Sequence, residues 1–159
     1  MCGFVGFSSA NAELYKVKII NDMMKAILHR GPDSGDFFSD NEITMGFRRL
    51  KIIDLSDEAS QPMFNEDRSC VLVFNGEIYN YKVIRDKLLA EHKVTAFRGT
   101  SDTEVLLEAF EAYGVRETIA MCKGMFAIAL LDRQTKKLTL IRDRIGEKPL
   151  YYGFVNGHF

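Results

Sequence analysis

Residues 126–131 read Phe126-Ala127-Ile128-Ala129-Leu130-Leu131, apolar at every position. A strand with one face in water alternates apolar and polar side chains, so an unbroken apolar run of this length has both faces covered. A polar turn at about Asp132–Lys137 separates it from a second β-type run, Leu138–Arg142, and the short connection makes the pair antiparallel. Upstream, Ser69-Cys70-Val71-Leu72-Val73-Phe74 is rich in residues that suit a pleated surface. An antiparallel strand buried on both sides needs something packed on each side, and the rest of the chain supplies candidates.

Three stretches carry apolar residues at helical spacing. Leu14, Val17, Ile20, Met23, Met24 and Ile27 mark a helix over about residues 12–28. Val83, Ile84, Leu88 and Leu89 mark a shorter one over about 81–91. Ser101-Asp102-Thr103-Glu104 has capping-box spacing and opens a third, carrying Val105, Leu106, Ala109, Phe110 and Tyr113, with Gly114 as its stop. Further strands are expected at Cys2–Phe7, within the extended stretch Ile43–Ile53, and at Pro149–Val155, which ends on the hairpin signal Asn156-Gly157. His29-Arg30-Gly31-Pro32-Asp33 reads as a loop because a residue before proline avoids the helical region. Asn75-Gly76-Glu77 reads as punctuation after the Ser69–Phe74 strand. Sheet on sheet with helices outside follows: an α+β chain, a four-layer α-β-β-α sandwich of antiparallel sheets.

Size and charge agree with one domain over residues 1–159. The chain is long enough to bury a real core, and 47% hydrophobic and 27% charged residues are ordinary globular values. With 21 basic and 22 acidic residues the net charge is −1, so no basic field recruits nucleic acid or an anionic membrane surface. The longest apolar run, Met125–Leu131, is far too short to span a bilayer, and no secretion signal opens the chain. Cys2, Cys70 and Cys122 are odd in number and lack metal-ligand spacing, so neither a disulfide framework nor a metal site is expected, and the cytoplasm is the default compartment.

Cys2 stands directly behind the initiator methionine. Removal of Met1 would give this residue a thiol and a free α-amine together. A free α-amine titrates near ~7.7–8.0, close to working pH, whereas a lysine amine near ~10.4 stays protonated. An N-terminal amine of that kind can act as the base for an adjacent nucleophile. The plainer reading is a small residue at the start of a strand, and Cys2 by itself leaves both open.

Other segments decide between them. Met1-Cys2-Gly3, His29-Arg30-Gly31-Pro32-Asp33, Arg49-Leu50 within Phe47–Leu55, Asn75-Gly76-Glu77-Ile78-Tyr79-Asn80 and Ser101-Asp102-Thr103-Glu104 occur in that order. With Gly124-Met125-Phe126-Ala127 and the run Arg142–Tyr152, the set resembles the glutaminase domain of glutamine-dependent asparagine synthetases. These are class II glutamine amidotransferases with the N-terminal-nucleophile hydrolase fold. Pro32 and the Glu77-Ile78-Tyr79-Asn80 segment favour that branch over other class II amidotransferases. Lys51 departs from the serine the resemblance would lead one to expect. Such enzymes continue into an ATP-dependent synthetase domain with a pyrophosphate-binding loop; nothing of that kind lies in this chain, which therefore resembles a part of a longer enzyme.

The resemblance implies hydrolysis of glutamine to glutamate and ammonia through a thioester on Cys2, supplying ammonia for asparagine synthesis. Asn75, by its side-chain amide, and Gly76, by its N–H, would stabilise the oxyanion; an ordinary turn is the alternative for the pair. Arg48 and Arg49 are adjacent on an extended segment and point to opposite faces, so only one can enter a pocket. The family pattern assigns Arg49 to the substrate carboxylate, where a guanidinium can bind in bidentate fashion. It also carries Leu50 and Ile52 to the substrate pocket, and Asp102 with Glu77 to the substrate ammonium. Asp102 could equally serve as a first-turn helix stabiliser, worth ~0.3–1 kcal/mol. His29, the partner a Cys–His design would need, suits a structural loop role better. Cys70 and Cys122 fit inert apolar positions. Implied partners are glutamine and a synthetase domain of the same polypeptide, with no nucleic acid and no membrane, and a homo-oligomer left open. No cofactor is expected in this domain, ATP and magnesium belonging to the synthetase domain.

Overall fold

The doubly apolar stretch forms β6 (Gly124–Asp132), an inner strand of a four-stranded antiparallel sheet. A computed structural model describes residues 2–8, 13–52, 55–155 and 158–159. In chain order the elements before β6 are β1 (Gly3–Ser8), α1 (Glu13–Ala26), β2 (Ser34–Ser39), β3 (Ile43–Arg49), β4 (Met63–Phe64), β5 (Cys70–Ile78), α2 (Tyr81–Ala90) and α3 (Asp102–Met121). β7 (Lys137–Arg142) follows β6. One sheet runs β1-β3-β2 and the other β4-β5-β6-β7.

Burial explains why β6 does not alternate. Phe126, Ile128 and Leu130 face a cluster that includes Leu72, Phe74 and Ile78 of β5, Ile84 and Leu88 of α2, and Leu106 and Phe110 of α3. Ala129 and Leu131 face the opposite way, into a second cluster with Val71 and Val73 of β5 and Met45 and Phe47 of β3. α1 covers the outer face of the first sheet, where Ile20 and Met24 crowd Gly46 of β3. The layers are α1, β1-β3-β2, β4-β5-β6-β7, then α2 with α3: the α+β four-layer sandwich. No helix among the described residues is long and apolar enough to cross a membrane.

Several local readings change. Asn75-Gly76 is not a turn, because β5 runs straight through it: Asn75 pairs with Ala127, Gly76 with Phe126, Glu77 with Met125 and Ile78 with Gly124. Gly76 is needed for close approach, since a Cβ there would lie 2.1 Å from the Met125 carbonyl oxygen. Gly114 ends a run of helix at φ 78, but helix resumes after it to Met121. The Ser101 hydroxyl accepts from the Glu104 N–H at 3.3 Å, as capping spacing predicts. The Glu104 carboxylate instead accepts from the N–H groups of Arg98 and Gly99.

Residues 149–155 form no strand beyond an isolated bridge from Val155 to His158. Tyr151 is 91% exposed and Val155 72%, and a run without a partner strand has no ladder to hold it. β2 and β4 carry too weak an apolar pattern to be read ahead of their pairing. The expected helix start at 12, the extended end at Ile53 and the Asn156-Gly157 pair lie outside the described residues.

Candidate active site

Cys2 sits one residue before β1. The register pairs Gly3 with Arg48, which sets Cys2 against the end of β3. The thiol donates to the Leu50 carbonyl at 3.5 Å, and the Leu50 N–H donates to Sγ at 3.3 Å. Arg30, in the short turn Leu28–Arg30 after α1, donates its Nε to the Cys2 carbonyl at 3.1 Å. The Leu50 backbone therefore holds the sulfur, while the Arg30 guanidinium holds the Cys2 main chain.

A pocket of about 100 Å³ opens beside the thiol. Cys2, Arg49, Leu50, Ile52, Gly76, Glu77 and Asp102 all line it, together with Gln61, Ser101 and Thr103. Arg49 is 5% exposed and donates to the Ser56 carbonyl at 2.8 Å and to Ser60 Oγ at 3.4 Å. Arg48, on the other face of β3, donates to the carbonyls of Gly31 (2.9 Å) and Pro32 (3.4 Å) and braces that loop. The adjacent arginines thus divide as alternation requires. Lys51 turns its ammonium away, to Asp57 at 3.5 Å, while its N–H donates to Asp33 at 2.8 Å.

Along β5, N–H groups alternate in direction, so those of Phe74, Gly76 and Ile78 share the edge away from β6. β4 pairs with only Leu72 and Val71 on that edge. Beyond it the Phe74 N–H donates to the Gln61 side-chain oxygen at 2.6 Å, and the Ile78 N–H donates to Asp102 Oδ2 at 2.9 Å. The Gly76 N–H lies between these two and is aimed at the pocket. Asn75, on the opposite face, is the one expected site residue outside this lining. It lines a separate cavity of about 630 Å³ between the sheets, with Gly3 and Arg30. Its carboxamide has no side-chain hydrogen bond to another described residue.

Asp102 is 5% exposed at the first position of α3. Burial pushes its carboxyl up to about 6, the Glu77 charge adds to the rise, and the Ile78 N–H works against it. Burial likewise pushes the Cys122 thiol up to about 11 and raises that of Cys70, which makes both poor nucleophiles. His29 is exposed and lines neither cavity. Among the described residues no group of three or more His, Cys, Asp or Glu side chains could hold a metal.

Sequence reading passed over Arg30, Gln61 and Thr103. Arg30 lies in the His29–Asp33 segment, but its role depends on the fold bringing it to Cys2. Gln61 and Thr103 are 42 positions apart and meet only in three dimensions, with Gln61 Nε2 donating to Thr103 Oγ1 at 3.3 Å.

Comparison with known proteins shows the family of the chain and its fold. A family described as a glutamine amidotransferase domain matches residues 1–159. An asparagine synthetase [glutamine-hydrolyzing] of Bacillus subtilis is 41% identical over 98% of this chain and 24% of the relative's length. An amidase of Penicillium rubens is 36% identical over 99% of this chain and 24% of its own. The chain spans about a quarter of the length of such relatives. A solved glutamine phosphoribosylpyrophosphate amidotransferase from B. subtilis superposes with a TM-score of 0.77 at 18% identity, covering 99% of this chain and 40% of that one. At that identity the likeness speaks for the fold.

Proposed function

We infer that this chain, which belongs to the glutamine amidotransferase domain family, hydrolyses glutamine to glutamate and ammonia through a thioester on Cys2. The observation that carries the reading is the Cys2 thiol, fixed by Leu50 at the edge of a pocket that also holds Arg49, Gly76 and Asp102.

After loss of Met1, Sγ attacks the glutamine side-chain carbonyl carbon, and the Cys2 α-amine takes the thiol proton. The carbonyl oxygen becomes an oxyanion, toward which the Gly76 N–H is aimed from beyond the end of the β4 pairing. Asn75 is the second donor in this reading, its carboxamide, hydrogen-bonded to no other described residue, turning from the inter-sheet side. The α-ammonium returns its proton to the nitrogen, the C–N bond breaks and ammonia leaves. Water then attacks the thioester, releasing glutamate and restoring the thiol. Arg49 holds the substrate carboxylate, Asp102 and Glu77 hold its ammonium, and Leu50 with Ile52 forms the wall. All the groups needed are side chains, N–H groups and the α-amine of the chain itself.

The ammonia is assigned to asparagine synthesis by an ATP- and magnesium-dependent synthetase domain of a longer cytoplasmic polypeptide. Support comes from the asparagine synthetases among its relatives and from its quarter share of their length. The Penicillium amidase favours a second reading, in which the same glutaminase serves a different acceptor.

The test is intact mass before and after treatment with an electrophilic glutamine analogue, with the modified residue located and ammonia release measured in parallel. Modification at Cys2 with ammonia and glutamate formed in equal amounts supports the reading. A folded protein with a free Cys2 amine that shows neither overturns it.

A further inference from the structure

The two halves of the pocket come from different layers of sequence. Asn75 and Gly76 ride on β5, whereas Asp102 begins α3, and two ties flank Gly76 between the elements: the Ile78 N–H donates directly to Asp102 at 2.9 Å, and on the Phe74 side Gln61 supplies the other. It is 6% exposed, its oxygen accepts from the Phe74 N–H at 2.6 Å, and its nitrogen donates to Thr103 Oγ1 at 3.3 Å. Phe74 directly precedes Asn75-Gly76, and Thr103 directly follows Asp102.

The register explains why a side chain is used. β4 pairs Met63 with Leu72, and Gln61, two residues beyond the end of that ladder, reaches Phe74. A buried backbone N–H there needs a partner. A main-chain carbonyl would satisfy it but would leave no donor for the helix. A carboxamide carries an acceptor and a donor on one planar group, and so can bind both elements at once.

We propose that Gln61 is a positioning residue for glutamine hydrolysis, setting together with the Ile78–Asp102 bond the distance between the oxyanion donors on β5 and the ammonium-binding carboxylate at the start of α3. The proposal rests on the glutaminase reading above. Gln61 touches no reacting atom in this role. Its effect is geometric, and a displacement on the order of 1 Å between binding and reacting groups can cost roughly 100-fold in rate.

The test compares Gln61→Met, Thr103→Val and Thr103→Ser in the full chain by KM, kcat, thermal midpoint and the rate at which iodoacetamide alkylates Cys2. Gln61→Met keeps the volume and removes both bonds; Thr103→Val removes one. The expected result is a rise in KM together with a fall in kcat, with kcat/KM down roughly 10- to 100-fold in Gln61→Met. Alkylation of Cys2, which needs only the thiol, should stay near the parent rate. Thr103→Val should lose part of the same activity, Thr103→Ser should recover it, and the Gln61→Met and Thr103→Val losses should fail to add. Parent-like kcat and KM in Gln61→Met, or in Thr103→Val should Gln61→Met not fold, overturns the proposal. So does a loss that tracks the thermal midpoint and slows alkylation equally. If the parent protein neither releases ammonia nor forms the Cys2 adduct, the glutaminase reading itself has failed, and the proposal falls with it.

Discussion

The Ile78 N–H donates to Asp102 Oδ2 at 2.9 Å, tying the last residue of β5 to the first residue of α3. One carboxylate therefore serves the fold and, in the proposed reaction, the substrate. In that reaction the same carboxylate takes the ammonium, and Glu77 lies close enough to add its charge to the same site.

That arrangement makes glutamine affinity depend on acidity. Asp102 holds its proton up to about pH 6 in the folded chain, against 3.8 for an unperturbed carboxyl. Below about 6 the neutral acid attracts an ammonium poorly, so KM should fall as pH rises through that value and then level off. Stability runs the other way. The folded state binds the proton more tightly than the unfolded one, so this group favours folding at low pH and loses that contribution as pH rises from 3.8 to about 6. Asp102→Asn should give a high KM with little pH dependence and a smaller fall in thermal midpoint over the same window. Measurements of KM between about pH 5 and about pH 8, and of the midpoint between about pH 3.5 and about pH 7, check both. A parent KM flat across this range would remove Asp102 from ammonium binding.

Arg49→Ala should raise the glutamine KM far more than Arg48→Ala. Losing the partner of a buried carboxylate costs ~2–5 kcal/mol, roughly 30-fold or more in affinity. Arg48→Ala removes its bonds to the Gly31 and Pro32 carbonyls, so it should lower the thermal midpoint and leave KM near the parent value. The reverse order would invert the assignment of strand faces.

The architecture was legible where the pattern was extreme. Six consecutive apolar residues at 126–131 point to burial on both sides, and the alternation of Arg48 and Arg49 already said that only one of them could enter a pocket, the resemblance naming Arg49. Asn75-Gly76 misled because the pair is a turn signal only when no neighbouring strand claims it; here β6 does, and Gly76 is read correctly from the space it leaves. Pro149–Val155 has strand-forming residues but no partner beside it. Gln61 was invisible for a third reason: a glutamine carries no periodicity, and its meaning comes from Phe74 and Thr103 converging on it.

Gly76→Ala tests the close approach of β5 to β6. An added Cβ would stand 2.1 Å from the Met125 carbonyl oxygen and 2.7 Å from Phe126 Cα, both backbone atoms that cannot swing aside. Overpacking of this kind costs ~1–3 kcal/mol or more, so the thermal midpoint should drop by about 5 °C or more. Gly153→Ala is the control, since a Cβ there meets nothing within 4 Å, and it should melt with the parent.

Asn75→Ala addresses the oxyanion directly. Loss of one such donor typically costs ~2.7–4 kcal/mol of barrier, about 100- to 1,000-fold in kcat. KM should change much less, because the donor acts on charge that develops during reaction. The side chain makes no hydrogen bond to another described residue, so its removal should leave the thermal midpoint near the parent value. A kcat within a few-fold of the parent would make Asn75 a strand residue and leave Gly76 as the donor.

The α-amine of Cys2 is the least replaceable part of the proposed mechanism, and it is tested by covering it. A short N-terminal extension that cannot be cleaved keeps the thiol and the bond from the Leu50 N–H, but turns the base into an amide. Glutamine hydrolysis should then be lost while iodoacetamide still alkylates Cys2. A second form, with the extension followed by a cleavable site directly before Cys2, should regain activity on cleavage and so separate the missing amine from a distorted fold. Equal turnover by covered and free forms would take the α-amine out of the reaction. The base would have to be sought elsewhere, with His29 the first candidate despite its exposed position in the turn after α1.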